Sequence, residues 1–181
     1  MTEAIKELIL QYFVQTGLGW AVAGAMLAVM FACIGSARGI RIAAAQAAGV
    51  LSEKPELFGR LLVLMALPGT QGLYGLICAI LIALRCGLLA GEVFISPLVG
   101  VSLFFVGACM GVVELLSAIY QGETSAACIN LTGKRPEEGG RAIILPGLVE
   151  FYAMLALLIS IILILFLCSR DLVAVSQMSA G

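Results

Sequence analysis

Four long apolar stretches, roughly 12–36, 61–91, 95–120 and 142–169, constrain this 181-residue chain more than anything else in it. Each is long enough to cross the roughly 30 Å hydrocarbon layer of a bilayer as a helix. Helices are required there, because a lipid-exposed backbone must satisfy its own N–H and C=O groups. Hydrophobic residues make up 62% of the chain and charged residues 12%. A soluble domain needs only one apolar face per element and has no use for so much apolar sequence. The expected fold class is therefore an all-α membrane protein with four transmembrane helices. The start of the chain carries Glu3, Lys6 and Glu7 and runs into a long apolar segment, which does not read as a cleavable signal peptide.

The formal net charge of −1 argues against nucleic acid as a partner. Histidine is absent, which removes the usual transition-metal ligand and the usual near-neutral base. Cys33, Cys78, Cys86, Cys109, Cys128 and Cys168 are scattered without CxxC spacing and read as small hydrophobes. No GxxxxGK[ST] string is present, so ATP hydrolysis cannot be placed on a phosphate loop here.

Basic residues gather in two connections, one with Arg38, Arg41, Lys54 and Arg60, the other with Lys134, Arg135 and Arg141. The connection with Arg85 and Glu92 and the end with Arg170 and Asp171 carry fewer. The positive-inside rule then predicts the two basic connections in the cytoplasm and both termini outside. The same connections reveal an internal repeat. Ser52-Glu53-Lys54-Pro55-Glu56 with Gly59-Arg60 parallels Gly133-Lys134-Arg135-Pro136-Glu137 with Gly140-Arg141. Small-residue runs precede both, and apolar helices follow both. The chain reads as two fused helical hairpins, 1–92 and 93–181. Helices one and three are rich in glycine (Gly17, Gly19, Gly24, Gly35 and Gly39; Gly107, Gly111 and Gly122). Small residues let membrane helices approach closely, which predicts an inner pair with helices two and four outside it. Such wedges close into a ring by head-to-tail contact.

Few polar side chains lie deep in the apolar stretches. Glu150 stands nine residues beyond Arg141, roughly 14 Å of helix. Gln71, eleven residues beyond Arg60, and Gln121, thirteen before Lys134, reach a similar depth, with Thr70 and Tyr74 flanking Gln71. A carboxylate at the bilayer centre costs about 3 kcal/mol or more and marks a functional site by default. Surrounding oxygens suit a hard cation such as sodium. One cation cancels the single charge, so the loaded site can face lipid and the empty one cannot. Pro68 and Pro146 each remove a helix N–H, which either kinks the helix or frees a carbonyl for the site. Glu114, seven residues before Gln121 on the same face, either lines an outer ion path or sits near the exit end of helix three. The 85–97 connection is longer than a loop requires.

Leu67-Pro68-Gly69-Thr70-Gln71-Gly72-Leu73-Tyr74-Gly75, Tyr120-Gln121-Gly122 and Val149-Glu150-Phe151-Tyr152-Ala153 closely resemble bacterial V-type ATPase subunit K, the proteolipid or c-ring family. The resemblance runs from Ile34-Gly35-Ser36-Ala37-Arg38-Gly39 to the last helix. It implies a sodium site made by the Glu150 carboxylate, the Gln71 and Gln121 amides, the Thr70 hydroxyl and the Leu67 carbonyl, with the Tyr74 hydroxyl locking Glu150. It implies a homo-oligomeric ring that turns against a static, arginine-bearing membrane subunit in the bacterial plasma membrane. A central stalk would dock on the cytoplasmic turns around Lys54-Pro55-Glu56 and Arg135-Pro136-Glu137, unless these are only helix-capping turns. The chain would itself be non-catalytic and without a cofactor, one ionisable site serving each four-helix unit. A proton is the alternative to sodium, although the extra oxygens are superfluous for it. A small two-repeat transporter and a purely structural membrane protein are the rival classes.

Overall fold

The computed structural model describes residues 2–11, 16–88 and 95–178, of which residues 2 and 170–178 are described as backbone only. Seven α-helices lie among them: α1 (Thr2–Ile9), α2 (Leu18–Glu53), α3 (Phe58–Ala66), α4 (Thr70–Arg85), α5 (Pro97–Lys134), α6 (Gly139–Ala142) and α7 (Ile144–Met178). Short 3-10 turns join α3 to α4 and start the descending arms at Pro55–Leu57 and Pro136–Glu138. Four continuous helical arms have the length and apolar character to span a membrane: Leu18–Glu53, Pro55–Arg85, Pro97–Lys134 and Pro136–Ser169. There is no strand among the described residues.

The two ascending helices are longer than the apolar stretches predict. Arg38 and Arg41 therefore lie within α2 and not in a connection, which corrects the placement of the basic loop. The Ala43–Ala48 run has high helix propensity, and nothing breaks the helix before Pro55. Lys54, Arg60, Lys134, Arg135 and Arg141 still share one end of the bundle. Both turns stop in the same way. Lys54 (φ −136°, ψ 69°) and Arg135 (φ −135°, ψ 84°) each precede a proline, which excludes them from the helical region. Their N–H groups cap Val50 and Leu131, one turn back in each case. The repeat seen in sequence is thus repeated in backbone geometry. The expected division at residue 92, and most of the 85–97 connection, lie outside the described residues.

Glycine decides how α2 and α5 meet. A Cβ on Gly24, Gly107 or Gly122 would run into the backbone of the facing helix, at Leu103–Phe104, Gly24 and Gly39 respectively. The two backbones pack directly, as expected where lipid gives no hydrophobic drive to association. Helix α4 lies against α2, and α7 against α5. At one end, Ala43, Ala47, Leu57, Leu61, Leu64, Cys128 and Ile129 form an apolar cluster. A second, around Ala28, Cys78, Ile82, Leu103, Met110 and Ile164, occupies the other half. Every spanning arm passes between these clusters at one level, and there the polar residues meet. None of the six cysteines forms a disulfide; Cys33 and Cys109 are exposed and the other four are buried.

Candidate functional site

The site begins with a break in a helix. Pro68 cannot donate to the helical ladder, and the chain tightens into a 3-10 turn over Leu67–Gly69 before resuming at Thr70. The Leu67 carbonyl takes the Thr70 N–H and, at 2.9 Å, the Thr70 hydroxyl. The same hydroxyl lies 3.4 Å from Gln71 Oε1. Just beyond the turn, the Gly72 N–H donates to Ser36 Oγ of α2 at 2.8 Å, which pins the start of α4 to the inner pair.

From Gln71 a chain of hydrogen bonds crosses three helices. Gln71 Nε2 donates to Gln121 Oε1 on α5 at 2.6 Å, with Ser117 Oγ 3.5 Å away. Gln121 Nε2 donates to the Pro146 carbonyl on α7 at 3.0 Å and lies 3.4 Å from Glu150 Oε2. The Tyr74 hydroxyl, one turn along α4 from Gln71, donates to Glu150 Oε1 at 2.7 Å. Gln71 and Gln121 have no exposed surface, whereas Leu67, Thr70, Tyr74 and Glu150 are half-buried. The carboxylate therefore has one flank against the amide network and one toward the bundle's outer surface.

All six residues that the sequence singles out (Leu67, Thr70, Gln71, Tyr74, Gln121 and Glu150) come together in this network. Of three further contributors, two carry no such signal. Ser36 and Ser117 are serines on glycine-rich helix faces, where a small residue signals packing and nothing more. Pro146 stands out for its missing N–H, yet it participates through its carbonyl. Leu-Pro-Gly occurs at 67–69 and again at 145–147, which aligns Glu150 with Gly72 and not with Gln71. Glu150 and Gln71 share a depth, and Gln121 joins them, without occupying equivalent positions. Glu114 lies in the same buried stripe of α5 as Ser117 and Gln121 but takes no part in the network.

Oxygens of different kinds are thus gathered at one level: a carboxylate, a side-chain amide, a hydroxyl and a backbone carbonyl at a proline turn. The set offers one negative charge and neutral dipoles, and no thiolate or imidazole. Such a shell suits a hard monovalent cation, with which it would become electrically neutral.

Comparison with known proteins gives a consistent picture. The ATP synthase C-subunit family matches the chain twice, over residues 23–82 and 104–163, so that each match holds one ascending and one descending helix. V-type sodium ATPase subunit K of Enterococcus hirae is 38% identical over 151 residues, covering 82% of this chain and 92% of the relative. A-type ATP synthase subunit K of Methanocaldococcus jannaschii is 32% identical over 163 residues, covering 90% of this chain and 71% of the relative. A doubled hairpin with these relatives is not a small transporter or a purely structural protein: the chain belongs to the ATP synthase C-subunit family, as a subunit K-type proteolipid, a non-catalytic integral membrane rotor component of a rotary ATPase.

Proposed function

We propose that each copy of the chain carries one sodium ion at a time across the membrane on Glu150. The observation that carries this reading is the convergence of Glu150, Tyr74, Gln121, Gln71, Thr70 and the Leu67 carbonyl between two apolar clusters. A proton would need the carboxyl group and one partner. The further oxygens favour a metal cation, and the sodium ATPase relative supports the same choice. The cation ligands would be Glu150 Oε2, Gln71 Oε1, Thr70 Oγ1 and the Leu67 carbonyl, with Gln121 Oε1 offering its free lone pair. Tyr74 would hold Glu150 without touching the ion.

The mechanism follows from charge. An occupied site is neutral, and its half-buried face can pass through lipid. An empty site bears an uncompensated carboxylate and is confined to a polar surface, where an arginine on a static membrane subunit would receive it. Rotation of a ring of identical copies then moves ions in proportion to the steps taken. A separate ATP-driven head would turn the ring through a stalk docked at the turns around Lys54–Glu56 and Arg135–Glu137. In this reading those turns are cytoplasmic, both termini are outside, the membrane is the bacterial plasma membrane, and the repeats divide as 1–92 and 93–181.

The test is labelling by dicyclohexylcarbodiimide, which attacks protonated carboxyl groups in apolar surroundings. Membranes are treated at fixed pH with and without sodium, and the modified residue is identified by mass spectrometry. Labelling of Glu150 that sodium suppresses is expected. Labelling at Glu150 that ignores sodium would make the carried ion a proton, and no labelling there would remove the central residue from the mechanism.

A further inference from the structure

Glu114 is a second carboxyl group inside the bundle, and the ion site does not use it. It has no exposed surface, and neither of its oxygens has a hydrogen-bond partner. It stands seven residues from Gln121 along α5, roughly 10 Å toward the opposite end from the basic turns. The groups around it can be named helix by helix. Tyr74 and Cys78 of α4 lie close enough to feel its charge, and Glu150 of α7 acts on it electrostatically. The adjoining part of α2, from Ala28 beside Gly111 to Gly35 beside Leu115, presents alanine and glycine; Cys33 in that stretch is exposed. On α5 itself Met110, Gly111, Ser117 and Ala118 share its buried stripe. Among the described residues no hydrogen-bond partner meets its carboxyl oxygens, and no cluster of three or more acidic, cysteine or histidine side chains includes it.

A buried polar group without a partner requires an explanation, and an ionised one is heavily penalised. Two species can neutralise a lone carboxylate here, a metal cation or a proton. A metal cation needs several oxygen donors, which Glu150 has and Glu114 lacks. A proton needs only the carboxyl group. The transport cycle adds a second constraint. One sodium at Glu150 makes the rotor unit neutral for its passage through lipid only if no other charge lies in the bundle. A second carboxylate in the same bundle would restore the charge that the ion cancels.

We infer that Glu114 is a proton-binding site distinct from the cation site, occupied throughout the rotation cycle, so that a unit with two buried carboxyl groups exchanges one cation. The inference rests on the sodium reading of Glu150 for its consequence, but not for its chemistry. Its lack of any exposed surface explains why the proton stays.

The test uses the intact purified ring saturated with sodium at neutral pH, examined by infrared spectroscopy in light and heavy water. A carbonyl stretch of a protonated carboxylic acid, shifted by deuterium, is expected in the wild type. It is lost in Glu114→Gln and kept in Glu150→Gln. Bound sodium, measured in the same samples, is expected at one ion per copy in the wild type and in Glu114→Gln, and none in Glu150→Gln. Loss of carboxylate bands in place of the acid band in Glu114→Gln would overturn the inference. So would two ions per copy in the wild type, or one surviving in Glu150→Gln; these readings need no Glu114 variant to assemble. If the sodium reading of Glu150 is wrong, the wild type binds no sodium and shows two acid bands, one lost in each variant. That pattern would sustain the proton at Glu114 while removing sodium from Glu150.

Discussion

The Tyr74 hydroxyl donates to Glu150 Oε1 at 2.7 Å, joining α4 of the first repeat to α7 of the second across the bundle. The contact leaves the other carboxylate oxygen, Oε2, beside Gln121. One oxygen is thus held by a fixed donor while the other is directed toward the gathered oxygens. Under the proposed function, a side chain in this arrangement would be ready for a cation before the cation arrives.

Tyr74→Phe should therefore weaken cation holding without dismantling the site. A hydrogen bond to a charged acceptor contributes about 1.5 kcal/mol, which corresponds to roughly tenfold in affinity. Radioactive sodium binding to the isolated ring is expected to show that loss, with faster release as its kinetic cause. An unchanged affinity would mean that Tyr74 merely fills space beside Glu150.

Gln121 makes a different kind of contribution, because it serves both neighbours. It accepts from Gln71 at 2.6 Å and donates to the Pro146 carbonyl at 3.0 Å, and it has no exposed surface. Gln121→Ala would leave a buried amide and a buried carbonyl unpaired, at about 2–4 kcal/mol together. A lowered melting temperature of the ring, in addition to weaker sodium binding, is the expected result. Weaker binding with full thermal stability would show that the amide bridge is not structural.

Close approach of α2 and α5 can be tested with glycines of two kinds. A Cβ on Gly107 would collide with the backbone at Gly24, and one on Gly39 with the Ala118 carbonyl and Pro68. Gly59 and Gly140 have nothing within 4 Å of such an atom. Gly107→Val and Gly39→Val are expected to abolish accumulation of the protein in membranes. Gly59→Ala and Gly140→Ala should accumulate normally, with helix stability gained by about 0.5–1 kcal/mol. Immunoblots of membrane fractions separate the two classes, and equal loss in all four would contradict the packing.

Much of this is legible in the sequence because lipid imposes strict chemistry. Apolar length predicts four spans, glycine spacing predicts the close pair, and a carboxylate at mid-span, Glu150, stands out against its surroundings. The Leu67–Tyr74 string and its resemblance to proteolipids assemble the remaining candidates. Other features emerge only in three dimensions. Apolar length says nothing of how far α2 continues once it leaves the hydrocarbon, so Arg38 and Arg41 read as loop residues when they are helical. Ser36 and Ser117 act through single hydroxyls on glycine-rich faces, and serine there signals packing as readily as bonding. The burial of Glu114 depends on α2, α4 and α7 surrounding α5, which spacing along one helix cannot convey.

The two prolyl turns give a last expectation, because the first is tied to the second by two long basic side chains. Lys54 Nζ donates to the Gly133 carbonyl at 2.5 Å, and Arg60 Nη1 to the Pro136 carbonyl at 2.6 Å. Gln46 Nε2 donates to Asn130 Oδ1 beside them at 2.5 Å. These bonds run from the first repeat to the second and close the helix ends that a stalk would grip. The Gly133 carbonyl lies in the last turn of α5, where carbonyls lack a partner within their own helix and a cation favours the dipole. The Pro136 carbonyl already accepts the Gly139 N–H and gains a second donor from Arg60. Lys54→Met combined with Arg60→Met keeps the aliphatic stems and removes the donors. Partial exposure limits the loss to about 1 kcal/mol per bond, too little to unfold four packed spans. Local opening should nonetheless rise, with amide hydrogen exchange at 131–138 accelerated several-fold while the Gln71–Glu150 level keeps its protection. Sodium binding by the ring should be unchanged and ATP-driven transport reduced, since the turns would transmit torque less firmly. Unaltered exchange at 131–138 would show that the prolines alone hold the turns.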